Sequence, residues 1–321
     1  MDWDYPSDLT DQAAAALAKI GDIVSGLPAV TGMTPREARA SIDRRWIAYA
    51  QSLLTGKVVI GDAMLPLPGG PMRVRSYDPA PQMEQPMLIF VHGGGWVLRA
   101  PESSDYVCEE LALDLRCKIV SLDYPLAPEH PCPRAVEACA QAVRYLARRG
   151  LTGLSCTDVQ IIAGESSGAN IALATLLELK NEPECPAAGI LVYGVYDHDH
   201  TTRSHLSYGA GAHGLSSAVM DWYWAHYRSG DAGCGNAVAC PLRADLRGLP
   251  PLFLAAAQFD CLRDDTSALA GKLKDIGVPV ETFLIRDGIH GCLNLSPLYP
   301  QLATMRTAAL DFLKRHAVIA K

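Results

Sequence analysis

The stretch IIAGESSGAN sets Gly164, Ser166 and Gly168 at the spacing G-x-S-x-G, between an apolar run and an alanine-rich helical pattern. A serine at a tight strand-to-helix turn projects its hydroxyl as a nucleophile. Glycines two residues to either side let the backbone pass close to neighbouring chain where a Cβ would clash. Taking Ser167 as the nucleophile would put Glu165 and Ala169 at those flanking positions. Ser166 is therefore the candidate, and Ser167 supplies the N–H that follows it. At the start of a helix that N–H is placed to stabilise an oxyanion, with the helix dipole adding to it.

A second stretch, FVHGGGWVLRA, places His92, Gly93, Gly94, Gly95 and Trp96 directly after an apolar strand-like run. Three consecutive glycines cost backbone entropy. What they expose is main-chain N–H unobstructed by side chains, as stabilisation of a tetrahedral oxyanion requires. His92 is too closely tied to the glycine turn to act as a base and reads as a structural loop histidine. A nucleophilic serine also needs a base and a carboxylate to orient that base. Asp260 ends the run PLFLAAAQFD, and His290 follows the next run, VETFLIRD, in GIHG. Asp264 and Asp265 are rivals to Asp260, but they read as the acidic first turn of a helix. Asp287 is a third rival and would share a short turn with the base it orients. Among the nine histidines, His130 lies in a proline-rich segment and His316 near the C-terminal end, which leaves His290 with the strand-end position.

The elements that must hold these residues alternate along the chain. MLIFVHG, KIVSLDY, VQIIAGE, AAGILVYGV, PLFLAAAQFD and VETFLIRD are short and apolar and, PLFLAAAQFD apart, carry β-branched residues, as strands buried on both faces do. Helical patterns such as PRAVEACAQAVRYLARRG, SGANIALATLLELKN and DDTSALAGKLKDIG separate them, and LATMRTAALDFLKRHA closes the series. This predicts an α/β fold with a mostly parallel sheet, whose carboxyl strand ends gather the site. KVVIGD and MRVRSYDP precede any crossover helix and predict an antiparallel edge, for eight strands in all. Residues 1–55 show helical patterns only, with Thr34 and Pro35 opening the second. Residues 56–321 form the catalytic unit, interrupted at 196–245 by a long polar and aromatic insertion with one helix expected near Ser216 to Tyr227. Such an insertion on the strand-end side shapes a ligand site.

Composition excludes several classes. A net charge of −7 over 321 residues, with scattered Lys and Arg, gives no footprint for nucleic acid. The acidic, polar opening lacks the features of a signal peptide, and no apolar run is long enough to span a membrane. Ten cysteines are too dilute for a disulfide scaffold and show no zinc spacing. Reduced thiols and a cytoplasmic location are the expectation. Asp197, His198, Asp199, His200 and His205 in YDHDHTTRSH offer metal donors, but neighbours on an extended segment point in different directions. A solvated polar loop and no metal are expected there. The basic RYLARRG reads as cations at a helix C-terminus before Gly150.

HGGGW, SLDYPLAPEHPCP, GESSGAN, FDCLRDD and IHG occur in the order of the hormone-sensitive-lipase-like α/β-hydrolases, and from about Met87 onward the chain resembles that family, in particular bacterial acetyl esterases. The resemblance implies Ser166, Asp260 and His290 as a triad, with oxyanion donors from Gly93, Gly94 and Ser167. It implies a helical cap built from the N-terminal helices and the insertion, and ester hydrolysis without a cofactor. Glu165 and Ser167 depart from the family's usual elbow residues, Pro125 stands where Arg is frequent, and Cys261 where Pro is usual. None of these removes a catalytic group.

The expected function is serine carboxylester hydrolysis of short acyl chains through an acyl-enzyme. A small-molecule ester is the partner, and a homodimer stays open. Trp96, beside the glycine loop, is expected to wall the substrate pocket together with aromatics of the insertion, Tyr208, Trp222, Tyr223 and Trp224. An amide or carbamate hydrolase is the alternative; a non-catalytic ligand-binding protein on this fold is disfavoured by the presence of His290. Cys261 and Cys292 flank the proposed acid and base, so thiol adducts are expected to disturb the site.

Overall fold

The computed structural model describes residues 3–229 and 236–319. The alternating segments joined by Pro68-Gly69 form an antiparallel hairpin, β1 (Val59–Leu67) and β2 (Gly70–Asp78), in which Leu67 pairs with Gly70. Six parallel strands follow: β3 (Gln85–Val91), β4 (Lys118–Leu122), β5 (Cys156–Glu165), β6 (Ala188–Val192), β7 (Leu252–Phe259) and β8 (Val280–Ile289). They make one eight-stranded sheet in the order β1-β2-β4-β3-β5-β6-β7-β8. β4 and β6 are buried at every residue; the run of β6 is apolar throughout, whereas β4 carries Lys118 and Ser121 among its apolar residues. The single cation in β4, Lys118, is fully buried and meets Asp78 Oδ2 at 2.9 Å.

This order explains how residues far apart in sequence converge. β3 and β5 are neighbours, with Val91 opposite Gly164, so the glycine loop and the serine turn leave the sheet side by side. β7 and β8 are neighbours, with Phe259 opposite Ile289, so Asp260 and His290 do the same. The chain moves from β3 to β4 on one side and then to β5 on the other. Such a reversal opens a crevice at the carboxyl ends of the strands.

At the N-terminal end, Thr10 caps α1 (Asp11–Ile23) and Thr34 forms a capping box with Glu37 at the start of α2 (Pro35–Ala38). The second helical pattern is not one uniform helix. It passes through a π turn at Arg39–Asp43 before α3 (Arg44–Leu53). The remaining crossovers supply α4 (Asp105–Leu115), α5 (Arg134–Arg149) and α6 (Ser167–Leu179). The insertion contributes α7 (Arg203–Tyr208), α8 (Ser217–Tyr227) and α9 (Asn236–Ala239); its residues 230–235 lie outside the described residues. α10 (Arg263–Asp275) and α11 (Gln301–Arg315) complete the chain. Ser216 caps α8, its Oγ accepting from Val219 N–H at 3.2 Å.

Three expectations need correction. YDHDHTTRSH is not a solvated loop throughout: it runs into α7, where Ser204 and His205 are buried. Burial is possible because each polar group finds a partner, Ser204 Oγ donating to Cys261 O at 2.6 Å and His205 Nδ1 lying 2.9 Å from Ser217 Oγ. The arginines of RYLARRG do more than complement a helix end. Arg144 pairs with Glu178 and Glu182 of the α6 region, and Arg148 with Glu184. Finally, eight described cysteines are free thiols, but Cys132 is disulfide-bonded, contrary to the expectation of reduced cysteines throughout.

Candidate active site

Ser166 sits between β5 and α6 with φ 54° and ψ −125°. A side chain rarely adopts this backbone, and it persists only where the surroundings fix it. Here they do: Ser166 N–H donates to Val192 O at 3.0 Å, and Ala169 N–H returns to Ser166 O at 3.1 Å. The flanking glycines are sterically required. A Cβ on Gly164 would stand 2.4 Å from Gly168 O, and one on Gly168 2.0 Å from Val91 O.

The structure brings Ser166, His290 and Asp260 into one chain of hydrogen bonds. His290 Nε2 lies 2.9 Å from Ser166 Oγ, and Nδ1 lies 2.8 Å from Asp260 Oδ2. Asp260 is 1% exposed, and its Oδ1 accepts Leu262 N–H at 2.9 Å, so the carboxylate is aimed by its own loop. The rival acids are engaged elsewhere. Asp264 accepts from Tyr5 Oη and from Ser204 N–H, and Asp265 Oδ2 accepts from the N–H groups of Tyr196 and Asp197. Asp287 lies at φ 58°, its N–H held by Gln258 Oε1.

Facing Ser166 is the glycine loop. Among the described residues, the amides of Gly93, Gly94 and Ser167 donate to no protein acceptor, which leaves them available to an oxyanion. His92 is fully buried beneath the loop, stacked on Tyr124 at 4.4 Å, with Nδ1 2.8 Å from Gly93 O. Burial pushes its imidazole down to about 4, so it is neutral near pH 7 and serves the loop's geometry. Trp96 lines the cleft yet is 1% exposed. It stacks on Tyr227 at 4.3 Å and donates Nε1–H to Asn170 Oδ1 at 3.3 Å. Of the insertion aromatics, Tyr223 reaches the cleft. Trp224 packs on Trp96, Tyr208 on Phe259, and Trp222 on His226.

Glu165 contributes more than the sequence suggested. It is buried beside the nucleophile, accepts from Tyr193 Oη, and accepts from Asn294 Nδ2 at 3.0 and 3.1 Å. Tyr193 in turn accepts Leu293 N–H at 3.3 Å, and its ring lies 5.0 Å from that of His290. Neither Tyr193 nor Asn294 carries a local sequence signal for this role. Arg99, also in the cleft wall, was likewise missed, although it stands in the same loop as the glycines.

Cys261 and Cys292 are both buried, and burial with the nearby Asp260 charge pushes both thiols well above their ordinary range. Among the described residues, one group of three metal-capable donors clusters: Asp197, His198 and Cys240, within 4.8 Å of one another. Asp197 is already paired with Arg243 at 2.7 Å, and Asp199, His200 and His205 are not in the group.

A family model described as alpha/beta hydrolase fold matches residues 88–294. The chain is 31% identical over 268 residues to the carboxylic ester hydrolase LipN of Mycobacterium tuberculosis, covering 81% of this chain and 71% of that protein. It is 30% identical over 254 residues to the carboxylesterase NlhH of the same species, covering 76% and 78% respectively. Among solved structures, a hyperthermophilic esterase from the archaeon Pyrobaculum calidifontis superimposes with a TM-score of 0.87 at 27% identity, over 97% of this chain and 99% of that one. A thermostable esterase from Pseudomonas putida does so with a TM-score of 0.86 at 27% identity, over 98% and 99%.

Proposed function

This chain belongs to the alpha/beta hydrolase fold family and is a carboxylic ester hydrolase, and we propose that it cleaves short-chain acyl esters through an acyl-enzyme on Ser166. The observation that carries this reading is the hydrogen-bonded series Ser166–His290–Asp260 at 2.9 and 2.8 Å. Ser166 Oγ attacks the ester carbonyl while His290 Nε2 takes its proton. Asp260 holds Nδ1–H, fixing the tautomer and stabilising the imidazolium. The carbonyl oxygen becomes an oxyanion received by the N–H groups of Gly93, Gly94 and Ser167. Collapse expels the alcohol, protonated by His290, and leaves the acyl group on Ser166. Water, deprotonated by the same imidazole, then releases the acid.

The short-chain preference rests on the cleft. Its cavity is small, about 120 Å³, and Leu215, Met220 and Tyr223 are part of its lining, so a short acyl chain fits it better than a long one. The N-terminal segment and the insertion act as a cap. Tyr208 Oη donates to Pro6 O at 3.1 Å, tying the two together, and Arg263 Nη1 of α10 donates to Asp4 O at 2.8 Å, fastening the N-terminal segment to the catalytic unit. An amide or carbamate substrate is not favoured, since the named relatives are carboxylic ester hydrolases. No helix among the described residues is long and apolar enough to cross a membrane. Eight free thiols support a cytoplasmic setting, while the Cys132 disulfide does not.

Rapid-mixing hydrolysis of nitrophenyl acetate tests the mechanism. A nitrophenol burst close to one equivalent per chain is expected, and hydrolysis of palmitoyl esters at the butyryl rate would contradict the short-chain assignment.

A further inference from the structure

Arg99 stands on the loop that carries Gly93 and Gly94, and it lines the same cleft as Ser166 and His290. Its backbone is left-handed, with φ 81°, a region that side chains other than Asn and Asp seldom enter. The N-terminal segment holds it there. Asp43 Oδ2, at the end of the π turn, accepts Arg99 N–H at 2.9 Å, and Arg39 Nε, at its start, donates to Val97 O at 2.7 Å. The Trp46 ring lies 4.4 Å from the guanidinium carbon. The stem rests against the glycine loop, so that a Cβ on Gly94 would come within 2.6 Å of Arg99 Cγ.

With so much structure fixing its position, the guanidinium itself donates no hydrogen bond and forms no ion pair among the described residues, and Nη1 is buried without a partner. Asp43 attracts it across space, but the carboxylate's Oδ2 is taken by the Arg99 amide and its Oδ1 has no partner either. Glu165 is occupied by Tyr193 and Asn294. A guanidinium presents N–H donors in a planar fork and accepts nothing, so removing it from water without an acceptor is unfavourable. In a substrate cleft, the acceptor is supplied by the ligand.

We propose that Arg99 binds a carboxylate of the substrate, which makes small esters bearing a free carboxylate, such as half-esters of short dicarboxylic acids, the preferred substrates. The planar fork matches a carboxylate bidentately. A phosphate's second charge would face Asp43 and Glu165, so a monoanion fits better. The proposal rests on the esterase reading and deepens it, since a site built to hydrogen-bond a substrate group discriminates strongly against analogues that lack it.

The test compares matched esters at constant ionic strength. Monoethyl glutarate is set against ethyl butyrate for a carboxylate on the acyl side, and O-butyrylglycolate against ethyl butyrate for one on the alcohol side. Each pair is measured with the wild type, Arg99→Met and Arg99→Lys. In one of the two pairs, the wild-type ratio of kcat/KM, charged over neutral, is expected to exceed unity. Arg99→Met lowers that ratio by about tenfold or more, chiefly through KM, and Arg99→Lys restores part of it. Free glutarate is expected to inhibit the wild type competitively, a readout that does not depend on any variant folding. A wild type that disfavours both charged esters, a ratio unmoved by Arg99→Met, or absence of inhibition by glutarate would overturn the proposal while leaving the esterase intact. Failure of the wild type to hydrolyse any ester would instead remove the underlying reading and the proposal with it.

Discussion

Asn294 Nδ2 donates to Glu165 Oε2 at 3.0 Å, joining the residue before the proposed nucleophile to the loop after the proposed base. Tyr193 Oη donates to the same carboxylate and accepts Leu293 N–H, so three segments close around one buried glutamate. This junction links the turn that carries Ser166 to the loop that follows His290.

Replacing Glu165 should therefore affect both stability and rate. Glu165→Ala strands the buried Tyr193 hydroxyl, at about 1–3 kcal/mol, and leaves the half-buried Asn294 amide without its acceptor at a smaller cost. We expect a total loss of about 2–4 kcal/mol together with a lower kcat. Glu165→Gln keeps one acceptor oxygen and should fall between. Denaturant unfolding and steady-state kinetics on the same samples check this; an unchanged unfolding midpoint in Glu165→Ala would contradict it.

Acid should act through His205. Burial and the neighbouring His200 depress its imidazole to about 4. The unfolded chain takes up this proton near 6.5, so below that pH unfolding gains a proton that the folded form refuses. The stabilising contribution is complete above about pH 6.5 and is lost as the pH falls towards 4. His205→Gln should flatten that part of the pH–stability curve relative to wild type, and taking the difference cancels groups such as Asp265 that titrate oppositely. Parallel curves for the two proteins from pH 7 to 4.5 would contradict it.

Contrary to the expectation from the sequence, thiol reagents should spare the native enzyme. Cys261 and Cys292 adjoin the acid and base, but both are buried and their thiols are pushed well above the ordinary range, so little thiolate is available. Activity is expected to survive a maleimide for minutes at pH 7. Intact mass should show no adduct at either position. Rapid inactivation that is abolished in a Cys261→Ala/Cys292→Ala double variant would contradict this.

The sheet and the positions of Ser166, Asp260 and His290 were legible because each depends on local signals: apolar strand runs, glycines spaced around one turn, and polar residues where a strand ends. The supporting residues were not. Glu165 meets Asn294 across 129 residues and Arg99 meets Asp43 across 56, and no short pattern encodes such contacts. The same holds for Ser204 and His205, whose polar stretch looks solvated until Cys261 O and Ser217 are seen to satisfy it. Trp96 was placed in the pocket by its proximity to the glycines; its stacking on Tyr227 makes it part of the core as well.

The central claim, that Ser166 carries the acyl group, is tested most directly by labelling with a fluorophosphonate, which phosphonylates an activated serine and mimics the tetrahedral intermediate. Peptide mass spectrometry should find one adduct per chain, on Ser166, with activity lost in proportion to labelling. Ser166→Ala should neither label nor turn over, a loss of about 10⁴-fold or more in kcat, whereas Ser167→Ala should retain both. An adduct on Ser167, or labelling and turnover persisting in Ser166→Ala, would contradict it.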